Sequence, residues 1–443
     1  MPARLLIVSH ELPGAEMSGP AIRYWHIAQA LAGEFDVTLA VPGLVDLPPG
    51  RVRLVSFAPA AGQSLRASAA GCEVALVSGY LLRHYPFLSV LPVPLVVDLY
   101  DPFLLENLAI HSERPLAQQA AIQRIDHAVV MDQLLRGDFF LCASERQRDF
   151  WLGMLAAAGR VNPYTFDADP TLRRLIDVLP FGVPDGPPQP SRLAIKGVVD
   201  GISTEDQVIY WAGGLWDWLD PLTAIQAVAA LADRFPRLRL FFAGINHPNP
   251  AVPPMRQVVE AQRLSNDLGL TGRRVFFNHW VPYGDRAAYL LDADIGLSLH
   301  LDQVEARLAF RTRLLDYLWA GLNMVVTSGD TLAETLAGHG LAAVIAPGDA
   351  AAAAAALAAG LCETPSARAE RQSRARALAD DMRWSKVVRP LQCFGRAPGM
   401  AADRLEHGSV RAWRPGLAAK AWQSLRRQGP AGLWRDIRLY FNW

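Results

Sequence analysis

The chain has 443 residues, 43 basic and 43 acidic side chains, 51% hydrophobic residues and only 19% charged ones. That composition supports two or three domains with cores of their own and excludes disorder for the bulk of the chain. The balanced charge argues against a dedicated nucleic-acid binder. Only Lys196, Lys386 and Lys420 are lysines and no Gly-Lys-Ser/Thr P-loop occurs, which removes the commonest class of ATPase. Cys72, Cys142, Cys362 and Cys393 are isolated and form no C-x-x-C pair, so neither a zinc knuckle nor a disulfide framework is expected, and free thiols fit a reducing cytoplasm. The N-terminal apolar run is too short for a signal peptide, and no stretch of about 20 uncharged apolar residues is present to span a membrane.

In chain order, residues 4–9 form a Leu/Ile/Val-rich run of the kind found in buried parallel strands, ending in Ser-His-Glu. A loop with Gly14, Ser18, Gly19 and Pro20 follows, then helical spacing over 21–31 and a second strand over 37–41. Strand, glycine loop, helix and strand make a β-α-β unit and hence a parallel sheet. Further strands are predicted at 52–57, 74–77, 95–97 and 139–142. Residues 180–190 then carry five prolines and two glycines and read as a stiff linker. The alternation restarts with strands at 208–211, 238–243, 274–277, 295–298, 324–327 and 343–345 and a helix over 221–235. The alanine run at 350–359 reads as an ordinary helix. The fold class is therefore α/β, with two halves of similar size and a cleft between them, and ligands are expected at the carboxyl ends of the strands.

The end of the chain differs. Residues 396–443 contain nine basic and three acidic side chains, a net of +6, together with Trp413, Trp422, Trp434 and Trp443. Leu433, Ile437, Tyr440 and Phe441 fall on one helical face flanked by Arg435 and Arg438. Two readings stand: a basic aromatic helix on an anionic membrane surface, or a helix packed back on the body through its aromatics.

Four segments carry candidate chemistry. At 210–221 a strand ends in Gly213-Gly214 before a proline-started helix. The glycine pair admits close backbone approach, and the helix N-terminus suits a diphosphate; Asp217 or Asp220 is expected to cap that helix. At 305–327 a helix carrying Arg311, Arg313 and Asp316 leads through Gly321 into a strand. Arginine forks match phosphate oxygens and a carboxylate can hold two hydroxyls, the plainer alternative being an internal ion pair of Arg313 with Asp316. At 95–101 a strand ends in acids: Asp98, Asp101 and nearby Glu106 are candidates for acceptor hydroxyl binding or proton acceptance, although capping is the commoner role for any one of them. Finally, 243–248 and 278–282 follow strands at the cleft; His247 and His279 there read more simply as structural histidines. Two Asp-x-Asp triplets, Asp167/Asp169 and Asp292/Asp294, are of a kind expected by chance and do not support a metal site.

Over residues 1–395 the order of these segments resembles a family-4 glycosyltransferase of the GT-B architecture, which implies two Rossmann-like domains facing across a cleft, with a C-terminal helical extension. The resemblance places Gly19 and Arg23 in the glycine loop of the first domain. Residues 141–147 resemble the family's strand ending in a serine, and 178–183 the run before the linker. Gly213 and Gly214 fall at the diphosphate loop and Val281 where the backbone meets the nucleobase. Residues 314–321 resemble the segment whose acid, Asp316 here, binds the ribose. Trp384 matches the aromatic of the final helix that crosses back to the first domain. The implied layout is an acceptor-side domain at 1–185, a donor-binding domain at 186–380, the crossing helix at 381–395 and the tail at 396–443.

The pattern departs from the family in three places. Glu305, the candidate for holding the sugar hydroxyls, lies eleven residues before Asp316 rather than eight. The basic pair expected after the diphosphate loop is replaced by Trp216, Asp217 and Trp218, so that Arg311 and Arg313 must supply the positive charge. A Tyr100-Asp101 pair stands where the family often has His-Asp. The implied function is retaining transfer of a sugar from a nucleoside diphosphate donor to a glycan or lipid-linked acceptor in cell-surface polysaccharide synthesis, with no metal or other cofactor and no nucleic-acid partner. Catalysis would fall to Glu305, Arg311 and Asp101, and donor binding to Gly213, Gly214, Trp216, Arg313, Asp316 and Val281. Acceptor contacts would fall to Gly19, Arg23, Asp98 and Glu106. The implied location is cytoplasmic, with the tail open to contact with the inner face of the membrane. A sugar-nucleotide epimerase and a non-catalytic glycan-binding scaffold remain the alternatives.

Overall fold

The computed structural model describes residues 2–407 except 46, 49, 59–61, 190, 191, 250, 251 and 253, and beyond them residues 426 and 429. Two parallel sheets organise it. The first contains β1 (Arg4–Val8), β2 (Asp36–Val41), β3 (Arg53–Ser56), β4 (Val74–Ser78), β5 (Leu95–Asp98), β6 (Phe139–Cys142) and β7 (Ile176–Val178), in the order β3-β2-β1-β4-β5-β6-β7. The second contains β8 (Gln207–Gly214), β9 (Leu238–Gly244), β10 (Val275–Phe277), β11 (Ile295–Ser298), β12 (Asn323–Thr327) and β13 (Ala342–Ile345), in the order β10-β9-β8-β11-β12-β13. Both orders reverse direction after their first strand, at β1/β4 and at β8/β11, which opens a crevice at the carboxyl ends of those strands. β4, β5 and β6 are buried along their whole length, as strands covered by helices on both faces must be.

Every strand predicted from the apolar runs is present, with ends within a residue or two except at β8, which runs on to Gly214 where 208–211 was expected. β7 was not predicted: three residues with a single fully buried side chain give no periodic signal. The helix expected over 221–235 is shorter, Pro221–Ala230, while the alanine run forms the helix Ala350–Leu361.

After the long helix Pro365–Asp381 the chain returns to the first sheet. Trp384 is buried against Gly182, where an added Cβ would lie 2.8 Å from the indole, and its ring stacks on His26 at 5.3 Å and 5°. Helix Arg389–Arg396 lays Phe394 on Phe139 at 4.8 Å. Helix Ala402–His407 is held by a buried Arg160–Asp403 pair at 2.7 Å and by Arg404 on Asp138. The start of the basic tail therefore packs on the body. Its tryptophans and the amphipathic face at 433–441 lie outside the described residues. Among the described residues no helix is long and apolar enough to cross a membrane.

Candidate active site

A cleft of about 590 Å³ runs between the carboxyl ends of the two sheets. On the second-sheet side, the last residues of β8 include Gly213, whose φ of +67° requires glycine and whose open side meets no atom within 4 Å. The carbonyl of Gly214 accepts a 2.9 Å hydrogen bond from Nη2 of Arg313, whose guanidinium lies 5.2 Å over the Trp211 ring. Burial pushes the Arg313 pKa down to about 10, which leaves it cationic at neutral pH, and its Nη1 is buried without a hydrogen-bond partner. Arg311 is the N-cap of helix Thr312–Ala320 and no side chain caps that helix start, so Arg311, Thr312 and Arg313 bring its N-terminus to the cleft wall. Amides at a helix start carry partial positive charge and suit an anion.

Arg311 donates to Oε2 of Glu305 at 2.7 Å. Asp316, one turn along, pairs with Arg286 at 3.4 Å, and the Arg286 guanidinium carbon lies over Tyr283, 3.7 Å from the ring centre. Burial raises the Asp316 carboxyl, and Arg286 opposes that shift. Val281 and Trp216 line the same wall, with Trp216 stacked on Trp218 at 5.2 Å and 4°.

The opposite wall is acidic. β1 runs out into His10 and Glu11, and β5 into Tyr100 and Asp101; helix Phe103–Ile110 adds Glu106. Burial, and after it the Asp101 charge, raises Glu11 to about 7. Burial raises Asp101 to about 6, and Glu106, whose side chain hydrogen-bonds to Asp101, is raised well above the usual carboxylate range by burial and by Asp101. That hydrogen bond favours the ionised form of Asp101 and the protonated form of Glu106. Gly19 lines this wall at the start of helix Gly19–Leu31, whose N-cap Ser18 turns its hydroxyl to Glu11 rather than to the helix.

The two walls touch beside the cleft. The Tyr283 amide donates to the Ala15 carbonyl at 2.7 Å, and the Tyr283 hydroxyl meets the His26 ring. On the other flank Gln147 Nε2 donates to the Leu308 carbonyl at 2.7 Å and Arg146 to the Gly329 carbonyl at 2.6 Å.

Ten of the thirteen residues singled out from sequence line this one cleft: Gly19, Asp101, Glu106, Gly213, Gly214, Trp216, Val281, Arg311, Arg313 and Asp316. Three do not. Arg23 and Asp98 form a two-pronged ion pair at 2.6 and 3.0 Å with both side chains 0% exposed, so the two charged groups are taken up by each other; they brace the loops beneath the cleft, and Asp98 lines only a smaller cavity behind this wall. Glu305 is 2% exposed and lies behind Arg311, so its contact is with that arginine rather than with a sugar.

The diphosphate expectation for the helix start at Pro221 is also corrected. The start of helix Pro221–Ala230 is buried and already capped by Asp220, which accepts from the Thr223 amide at 3.0 Å; the helix start that reaches the cleft is at Thr312. Asp217 instead accepts from the Gln257 amide. Arg313 and Asp316 do not pair with each other but with Gly214 and Arg286. Of the Asp-x-Asp triplets, Asp292 accepts three backbone amides at 194–196, Asp294 pairs with Lys196, and Asp169 caps its own loop. Sequence reasoning missed Glu11, Tyr283 and Arg286. Glu11 lies three residues past the end of β1, close to a position the strand-end rule marks, whereas nothing in the sequence distinguishes Arg286, at the start of helix Arg286–Asp292, from other arginines.

No known family model matches the chain, and no curated protein matches it in sequence. Solved structures do match. Sucrose-phosphate synthase from Thermosynechococcus elongatus superposes with a TM-score of 0.61 at 13% identity, over 89% of this chain and 98% of that one. HepE from Anabaena in complex with UDP-glucose gives 0.58 at 15% identity, over 89% and 98%. WaaG, a glycosyltransferase involved in lipopolysaccharide biosynthesis, gives 0.55 at 17% identity, over 89% and 100%. The chain has the GT-B fold. In this GT-B frame the cationic and acidic walls belong to different sheets, so the relative placement of the two halves decides whether a site exists at all.

Proposed function

We propose that the protein is a retaining glycosyltransferase that moves a sugar from a nucleoside diphosphate donor to a hydroxyl of a glycan or glycolipid, in the synthesis of a cell-surface polysaccharide. One observation carries this reading. The helix start at Thr312, Arg311, Arg313 and the bare backbone of Gly213 line one wall, and carboxylates line the other. The likeness to HepE, solved with UDP-glucose, supports a nucleotide-sugar donor.

In this reading the bond between the anomeric carbon and the diphosphate oxygen breaks, and its electron pair leaves with the diphosphate. Arg311, Arg313 and the helix amides stabilise that charge, and fixed donors aimed at developing charge are the largest single contribution in many enzymes. The acceptor oxygen bonds to the anomeric carbon on the face the diphosphate leaves, and its proton passes to Asp101. Asp316, steadied by Arg286, holds the ribose hydroxyls. Contacts across both flanks of the cleft exclude water that would otherwise hydrolyse the donor. Glu305 acts through Arg311 as a positioning residue.

The test is incubation with UDP-, GDP-, TDP- and ADP-sugars, with and without a glycan acceptor. Acceptor-dependent release of nucleoside diphosphate is expected. Conversion of donor sugar without acceptor would mark an epimerase, and failure to bind any donor would mark a scaffold.

A further inference from the structure

A second cavity, of about 240 Å³, opens off the acidic wall between the ends of β4 and β5. It shares His10, Tyr80, Tyr100, Asp101 and Phe103 with the main cleft, so the two are adjoining. Its walls are unlike those of the donor side. Tyr80 and Phe103 form a tilted aromatic pair, ring centres 4.9 Å apart, of a kind that packs against the C–H face of a sugar ring. Tyr80 donates to the buried Asp126, which also accepts from Asn107 at 2.9 Å, so a further carboxylate stands directly behind the aromatic wall.

The distribution of charge is the deciding feature. Among the described residues, none that lines this cavity, and none on the first-sheet wall of the cleft, is a lysine or an arginine. All three cleft arginines, Arg286, Arg311 and Arg313, belong to the donor wall. Arg23, behind this wall, is covered by Tyr100 and neutralised by Asp98. Of the imidazoles, His84 lies at the exposed mouth, and His10 is pushed down to about 4, by loss of solvation first and by His84 second, and is neutral at physiological pH. The helix start at Gly19 faces the main cleft rather than the cavity. A phosphate or carboxylate entering here would meet the Asp101 carboxylate with no lysine or arginine among the lining residues to offset it.

Resting on the glycosyltransferase reading, the geometry points to the cavity between β4 and β5 as the acceptor subsite, and to an uncharged sugar ring as the group it takes, with phosphorylated sugars and uronic acids excluded. Hydroxyls of such a ring donate to Asp101, while the ring face lies against Tyr80 and Phe103.

Saturation-transfer NMR on the full chain, without donor, tests this independently of turnover. The probes are the methyl glycosides of glucose, galactose and mannose, their 6-phosphates, and methyl glucuronide. Signals from one or more uncharged rings are expected, at least fivefold above any phosphate or uronate, and Phe103→Ala should reduce them at least fivefold. The inference is overturned by equal or stronger signals from the charged rings, by uncharged signals that survive Phe103→Ala, or by no signal from any uncharged ring. Thermal shifts with nucleotide sugars, run on the same samples, report on the donor reading separately.

Discussion

Arg311 enters the cleft wall already held by Glu305, its Nη2 donating to Oε2 at 2.7 Å while its Nε has no hydrogen-bond partner. Nine-tenths or more of both side chains is buried, so the carboxylate fixes the direction in which the guanidinium presents its remaining donors. Arg311→Ala should lower kcat by about 100-fold, the scale on which loss of one preorganised donor acts. Glu305→Gln keeps the shape and should cost about tenfold in kcat with little change in donor KM. Steady-state kinetics of both variants decide this, and a rise in KM at constant kcat would assign Glu305 to ground-state binding instead.

Asp316 and Arg286 make a separate claim. If Asp316 holds the ribose, Asp316→Ala should raise donor KM by at least tenfold, and Arg286→Ala should do so by less. Binding of free nucleoside diphosphate, measured by calorimetry, should weaken in the same order. Equal affinity in native protein and Asp316→Ala would remove the ribose role.

The two walls were not equally legible in the sequence. Gly213, Gly214 and the arginines at 311 and 313 could be found because glycine pairs at strand ends and clustered arginines have a physical signature. The pairing pattern could not, since Arg313 bonds a carbonyl 99 residues away and Asp316 pairs with an arginine from a different helix. Arg23 and Asp98 misled for the same reason: each is a plausible surface contact alone, and only the approach of the Gly19–Leu31 helix to the end of β5 makes them a buried pair. Strands were legible almost throughout because burial on both faces demands continuous apolar runs.

The pH dependence has a defined sign. Asp101 must be ionised to accept a proton, and its pKa is raised to about 6. kcat/KM should therefore rise through about pH 6 and fall about tenfold per unit below it. In Asp101→Asn the residual rate should lack this acid limb. A limb unchanged in that variant would assign the titration to another group.

Stability offers a test away from the cleft. Arg160 and Asp403 are 0% and 1% exposed, and Arg160 also donates to the carbonyls of Leu134 and Gly137. Asp403→Ala leaves a buried guanidinium without its counter-charge, a change that costs about 3–5 kcal/mol when the site stays closed. Chemical denaturation should show a lower midpoint, and limited proteolysis should release the chain after residue 396. A loss below about 1 kcal/mol would mean that this end of the chain contributes little to holding the first sheet's helices together.

The central claim is that a nucleotide sugar binds where the helix start at Thr312 meets Arg311, Arg313 and Gly213. Its most direct test is the melting temperature of the full chain with UDP-, GDP-, TDP- and ADP-sugars, beside the Asp316→Ala variant. A ligand at 100 times its Kd adds about 2.7 kcal/mol of stability, so one nucleotide class should raise the native Tm by several degrees and the variant's far less. No shift with any donor, or equal shifts in both proteins, would contradict the account.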